Sequence, residues 1–147
     1  KQSLGVKKCT QNDFIYGELG RTPLQNHRYC TVIKYWLKSC QASENKYIKS
    51  VYGTLKNDIE VHSNKKNWVT HVKQVLSSLG FNHVWQAQSV GNIKQFVLIF
   101  KQRVSDVLIQ TWNSELRESS RASFYVTFSS FELQPYLSEI QNRVSKT

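Results

Sequence analysis

The chain has 147 residues, enough for one domain with a core, and its 20 Lys and Arg against 10 Asp and Glu leave a net charge of +10. No apolar run approaches the ~18 residues of a membrane span, and the N-terminal KQSLGVKKCT lacks the apolar centre of a signal peptide. Three cysteines, with neither C-x-x-C nor zinc spacing, speak for free thiols, buried in the case of Cys30 and Cys40, and for a reducing intracellular location, nuclear or cytoplasmic.

The periodicity is helical almost throughout. Thr10 is placed to cap a short helix carrying Phe14, Ile15 and Leu19, with Asp13 in its first turn. Gly20 ends that helix in a left-handed conformation. Thr22 then caps a second helix, with Pro23 at its first position and Gln25 at the capping-box position. This helix runs to about Gln41 and buries Tyr29, Val32, Ile33, Trp36, Leu37 and Cys40, leaving His27, Lys34 and Lys38 outside. Ser43 caps the next helix, whose apolar stripe is Ile48, Val51, Tyr52, Leu55 and Ile59; Gly53 weakens it by about 1 kcal/mol relative to alanine. After the polar loop His62–Asn67, with its capping residue, a helix buries Trp68, Val72, Val75, Leu76 and Leu79. Gly80 stops it, and Phe81 folds back in a Schellman-type contact.

A short turn with Val84 and Trp85 leads to the longest helix, from about Asn92 to about Glu118, with its stripe of Ile93, Phe96, Val97, Phe100, Val104, Val107, Leu108, Thr111 and Trp112. Ser119–Ser123 breaks and recaps the chain. Phe124, Tyr125, Phe128 and Phe131 suggest an aromatic helix or a helix with an irregular end, and Pro135 opens a last helix with Tyr136, Leu137, Ile140 and Val144. The expected fold is therefore all-α: an irregular bundle of about seven helices around one long central helix, a single domain over residues 1–147. Both chain ends read as cuts from a longer polypeptide.

The residues offer no reaction centre. Asp58 and Glu60, the closest acidic pair, point apart at i, i+2 on a helix. His27, His62, His71 and His83 show no metal-ligand pairing, and the glycines match no dinucleotide or phosphate loop. Neither a catalytic residue, nor a metal, nor a cofactor is expected. The charge is more telling. Residues 1–103 hold sixteen basic and five acidic side chains, a net of +11; residues 104–147 hold four and five, a net of −1. A polyanionic partner, RNA or DNA, would meet the first part. The candidate phosphate contacts are Lys7, Lys8, Arg21, Arg28, Lys34, Lys38, Lys46, Lys49, Lys65 and Lys66. Trp36, Trp68 and Trp112 fall on apolar stripes and read as core. Tyr35 and Tyr47 lie nearer the stripe edges and are the candidates for stacking on bases. The alternative is a helical protein-interaction or scaffolding module, suggested by the apolar segment Phe124–Phe131. The basic amphipathic helices are better explained by packing together than by a membrane surface.

Several segments carry a resemblance. They are Leu4-Gly5-Val6, Thr10-Gln11-Asn12, Tyr16-Gly17-Glu18-Leu19-Gly20-Arg21, Pro23-Leu24 and Ile33-Lys34-Tyr35-Trp36. Leu79-Gly80-Phe81, Val90-Gly91-Asn92-Ile93, Phe100-Lys101-Gln102-Arg103 and Ser119–Tyr125 extend it over nearly the whole chain. Together they resemble the block after the polymerase core of LINE-type (non-LTR) retrotransposon reverse transcriptases of invertebrates. The resemblance implies an RNA-directed DNA polymerase upstream and a Cys/His zinc knuckle downstream, neither of which is in this chain. It implies that the chain is the helical thumb end and connector, that it steers template RNA or target DNA, and that it contacts the rest of its own polyprotein. No enzyme activity is expected of the chain alone.

Overall fold

The computed structural model describes residue 7 and residues 12–41, 46–62, 66–120, 122, 124–127 and 129–137. All regular structure among the described residues is helical: α1 (Asn12–Leu19), α2 (Leu24–Gln41), α3 (Lys46–Val61), α4 (Trp68–Ser78), α5 (Asn82–Ala87), α6 (Ile93–Glu118) and a 3-10 helix (Tyr125–Thr127). This is the expected all-α class, with one long helix. The chain divides into two compact units: Leu24–Val104, and Lys1–Pro23 with Ser105–Thr147. Helix α6 contributes its first part to one unit and its remainder to the other. No helix among the described residues is long and apolar enough to cross a membrane.

In Leu24–Val104 the helices α2, α3 and α4 pack on one another, and α5 packs on α4. Ile33, Trp36 and Leu37 are buried with Val69, Val72, Leu76 and Phe100. The Trp36 and Trp85 rings stack with centroids 5.9 Å apart. Asn67 caps α4 through its side-chain oxygen, which accepts from the Val69 and Thr70 amides in a capping box, while its Nδ2 donates to Leu55 O at 3.2 Å. At the other end Gly80 adopts φ +84°, the Phe81 amide reaches Leu76 O at 2.7 Å and the Gly80 amide reaches Ser77 O at 3.2 Å. These are the two bonds of the Schellman motif. Phe81 folds back onto Phe96 and Phe100, at centroid distances of 5.3 and 5.7 Å.

Several expectations are corrected. Trp68 is only half-buried, because Val69 takes the inward position at the start of α4. Ile48 and Val51 are exposed, since α3 turns only Tyr52 fully inward and leaves Leu55 and Ile59 half-buried. The expected turn around Val84 and Trp85 is the helix α5. Thr111 is exposed although it lies on the α6 stripe. Cys30 and Cys40 are half-buried free thiols, not fully buried ones. The second helix begins at Leu24, so Pro23 precedes it. The proposed caps Thr10 and Ser43, with Cys9, lie outside the described residues.

The other unit is built on Trp112, Leu116 and Ala122, with Phe14, Tyr125, Val126 and Phe131 packed against them. Trp112 Nε1 donates to Asp13 O at 2.8 Å, and its ring meets Phe131 edge-on at 5.2 Å. Gly17 is buried against that indole: a Cβ there would lie 2.5 Å from Trp112 Cζ2. Gly20 ends α1 at φ +56°, as the sequence predicts. Glu18 accepts from the Tyr125 hydroxyl at 2.7 Å and from the Tyr136 hydroxyl, while its backbone oxygen accepts from the Gln134 amide at 3.0 Å. The aromatic segment is not the expected α-helix: among its described residues the regular structure is a 3-10 turn at Tyr125–Thr127, and Phe131 packs on the Trp112 core. Phe128, Ile140 and Val144 lie outside the described residues; residues 135–137 are helical.

Candidate nucleic-acid interface

The charge sorts by unit more sharply than by position along the chain. Leu24–Val104 holds twelve basic and three acidic side chains, a net of +9. The other unit holds eight and seven, a net of +1. Lys7 and Arg21, both exposed, belong to that nearly neutral unit. Arg28, Lys34, Lys38, Lys49 and Lys66 are exposed on the cationic one. Lys46 begins α3, and its side chain lies outside the described ones, as do Lys8 and Lys65 altogether.

Helices α2 and α4 contain no acidic residue. Lys34 and Lys38 lie one turn apart, both exposed on α2, so their positive potentials add at the surface. Burial pushes the Cys30 thiol up, and Lys34 and Lys101 both act on it in the opposite sense. Burial also raises Cys40, against the pull of its Tyr52 hydrogen bond and of Lys56. Lys56 itself pairs with Glu60 at 3.9 Å.

Both stacking candidates line the same cleft. Tyr35 (56% exposed) and Tyr47 (85% exposed) share it with Ser39, Ile48, Val51, Tyr52 and Trp68, in a volume of about 210 Å3. The Tyr35 and Trp68 rings meet edge-on at 5.5 Å. Ile48 and Val51, exposed on α3, form the apolar wall of this cleft. Its floor is fixed from beneath. Trp36 Nε1 donates to Tyr52 Oη at 3.0 Å, and the Tyr52 hydroxyl donates to Gln88 Oε1. Burial drives the Tyr52 hydroxyl well above the ordinary tyrosine range, so it stays protonated and keeps donating. Gln88, at φ +53°, caps α5. Ser39 Oγ is spent on Tyr35 O at 3.0 Å. The cleft therefore offers ring faces and few free donors. At this volume, below the ~300–1,000 Å3 of drug-sized ligand sites, it suits a single planar ring.

Lys38 stands one turn beyond Tyr35 on α2, and Lys66 stands two residues before Trp68. Trp68 escapes sequence reasoning through its place on an apolar stripe; its signal is the pair of lysines before it. Lys101 escapes it because the long helix reads as structural. Arg103 is engaged, with Nε donating to Leu79 O at 3.3 Å. Among the described residues no group of three or more His, Cys, Asp or Glu side chains is placed to hold a metal ion. No family model, no curated protein and no solved structure matches the chain.

Proposed function

We propose that this chain is a non-catalytic, helical nucleic-acid-binding segment, of the kind its resemblance to LINE-type reverse transcriptases implies, and that Leu24–Val104 makes the contact. One observation supports this reading above the others: the unit with twelve cations against three carboxylates also carries the open cleft of Tyr35, Tyr47 and Trp68. Cations draw in phosphates and release their counterions, which gives affinity that falls with salt. Exposed ring faces add base stacking, worth about 1–3 kcal/mol per base. Ten of the twelve cations are lysines. Lysine is a point charge without the planar fork of arginine, which favours phosphate contact over reading of base edges.

The test is a filter-binding titration with RNA and DNA at two salt concentrations. Binding should weaken steeply as salt rises, and no binding at low salt would remove the reading. Lys34→Glu with Lys38→Glu should weaken binding without lowering the melting temperature, since both side chains are exposed on α2. A second reading, a protein-interaction module, is favoured by Leu98 and Ile99, which are 69% and 53% exposed on α6. Ile99 lines a cleft of about 390 Å3 with Val84, Val90 and Phe96. Concentration-dependent self-association in light scattering would support that reading, and a strict monomer would count against it.

A further inference from the structure

We infer that the groove between α2 and α4 holds two successive subsites for a single nucleic-acid strand: an unpaired base in the Tyr35–Tyr47–Trp68 cleft, and a phosphate beside Arg28, Tyr29 and His71. The inference rests on the nucleic-acid reading above and narrows it to single strands.

The second subsite is a cleft of about 140 Å3 lined by Gln25, Arg28, Tyr29 and Val32 of α2 and by His71 of α4. The Tyr29 and His71 rings stand 5.7 Å apart, one from each wall. Gln25 Nε2 donates to Tyr29 Oη, so the phenol already has its incoming hydrogen bond and its own proton is left to donate. Arg28 is exposed at the mouth, and no carboxylate occurs on either helix to neutralise it. A guanidinium, a phenol proton and an imidazole converge on one small space with no anionic side chain on either wall. That set matches a phosphate, whose oxygens only accept.

The register ties this cleft to the aromatic one. Gln25, Arg28, Val32, Tyr35 and Ser39 follow one ridge of α2 at alternating steps of three and four residues. On α4, Trp68 lines the first cleft and His71, one turn on, lines the second. The contacts step backward along α2 as they step forward along α4, Tyr35 to Trp68 and then Tyr29 to His71. Arg28 and Tyr35 are two turns apart, about 10 Å along the helix axis at 1.5 Å per residue. A stacked strand rises about 3.4 Å per phosphate and an extended one more, so base and phosphate come from nucleotides two or three apart at most. The aromatic cleft is walled by three helices, and a base still paired in a duplex cannot present its face there. A single strand can.

The test is fluorescence anisotropy with the full chain and oligonucleotides of about ten nucleotides, within the usual site size of single-strand binders. Single strands of RNA and of DNA are each compared with a duplex of the same length, over a range of salt. The wild type should bind at least one single strand about tenfold more tightly than the duplex. Arg28→Gln with His71→Gln should weaken single-strand binding and make the slope of log K against log salt shallower by about 0.7 for each phosphate that is no longer neutralised. Tyr35→Leu should weaken binding with the slope unchanged. Should the double variant fail to give a cooperative melt, Arg28→Gln alone, at an exposed side chain, carries the comparison. Duplex binding as tight as single-strand binding, or variants at Arg28 and His71 with wild-type affinity and slope, would overturn the inference and leave the nucleic-acid reading standing. No binding of any strand at low salt would overturn both.

Discussion

Gly17 and Gly53 both lie inside helices, yet alanine should have opposite effects at the two. At Gly17 the new methyl would meet the Trp112 indole at 2.5 Å and the Tyr125 hydroxyl at 3.2 Å. Overpacking of this kind costs about 1–3 kcal/mol, more than the roughly 1 kcal/mol that alanine gains in helix propensity. At Gly53 nothing lies within 4 Å and the residue is exposed, so only the propensity difference remains. Chemical denaturation should show Gly17→Ala destabilised and Gly53→Ala stabilised by about 0.5–1 kcal/mol. The sequence marks both residues as glycine and cannot separate them, because the difference lies in what approaches from elsewhere in the chain. The same holds for the tryptophans. Trp36 and Trp112 are buried as their stripes require, while Trp68 occupies an equivalent stripe position and forms a cleft wall.

Among the elements, the short α1 depends on distant partners. Glu18 accepts hydrogen bonds from Tyr125 and Tyr136, and each bond favours the neutral phenol. The Glu18 hydrogen bond, with some burial, pushes the Tyr136 hydroxyl up to about 12 from the ordinary 10. Burial first and Glu18 second raise Tyr125 as well. A phenol with a raised folded-state pKa stabilises the fold fully below pH 10, and that contribution is lost as pH climbs through about 12. Replacing Glu18 with Gln should therefore bring the Tyr136 titration, followed by ultraviolet absorbance, back toward 10. It should also lower stability at neutral pH by on the order of 1–2 kcal/mol, a hydrogen-bond figure reduced for the exposure of Tyr136. This deficit should shrink above pH 10 as the wild type loses the same contribution. The helix ends, by contrast, are legible in local sequence. Asn67 caps α4, Gly80 and Phe81 close it, and Gly20 closes α1, because capping is decided within a few residues. The segment after Ser119 is not legible: its aromatics have the spacing of a helix, but among the described residues Tyr125 and Val126 pack onto Trp112 and Leu116 from a 3-10 turn.

At the scale of the whole molecule, the two units differ by net charges of +9 and +1. Leu24–Val104 has its own core of Trp36, Leu37, Val69, Val72, Leu76 and Phe100, the property that lets a segment fold alone. A fragment of these residues should keep the salt-dependent nucleic-acid binding of the full chain, measured by the same titration; a fragment that melts cooperatively yet binds no strand would move the contact to the other unit. The sequence by itself determined the helical class, most helix boundaries and the cationic excess, since periodicity, caps and charge counts are local or additive quantities. It also marked Tyr35 and Tyr47 as ring faces at stripe edges. Only the tertiary structure decided that these two tyrosines share a cleft with Trp68, that Ile48 and Val51 form its wall, and that Arg28 of α2 and His71 of α4 line one cleft. Those juxtapositions depend on how three helices cross, and crossing is fixed by the interlocking of many side chains at once, which no single stretch of chain encodes.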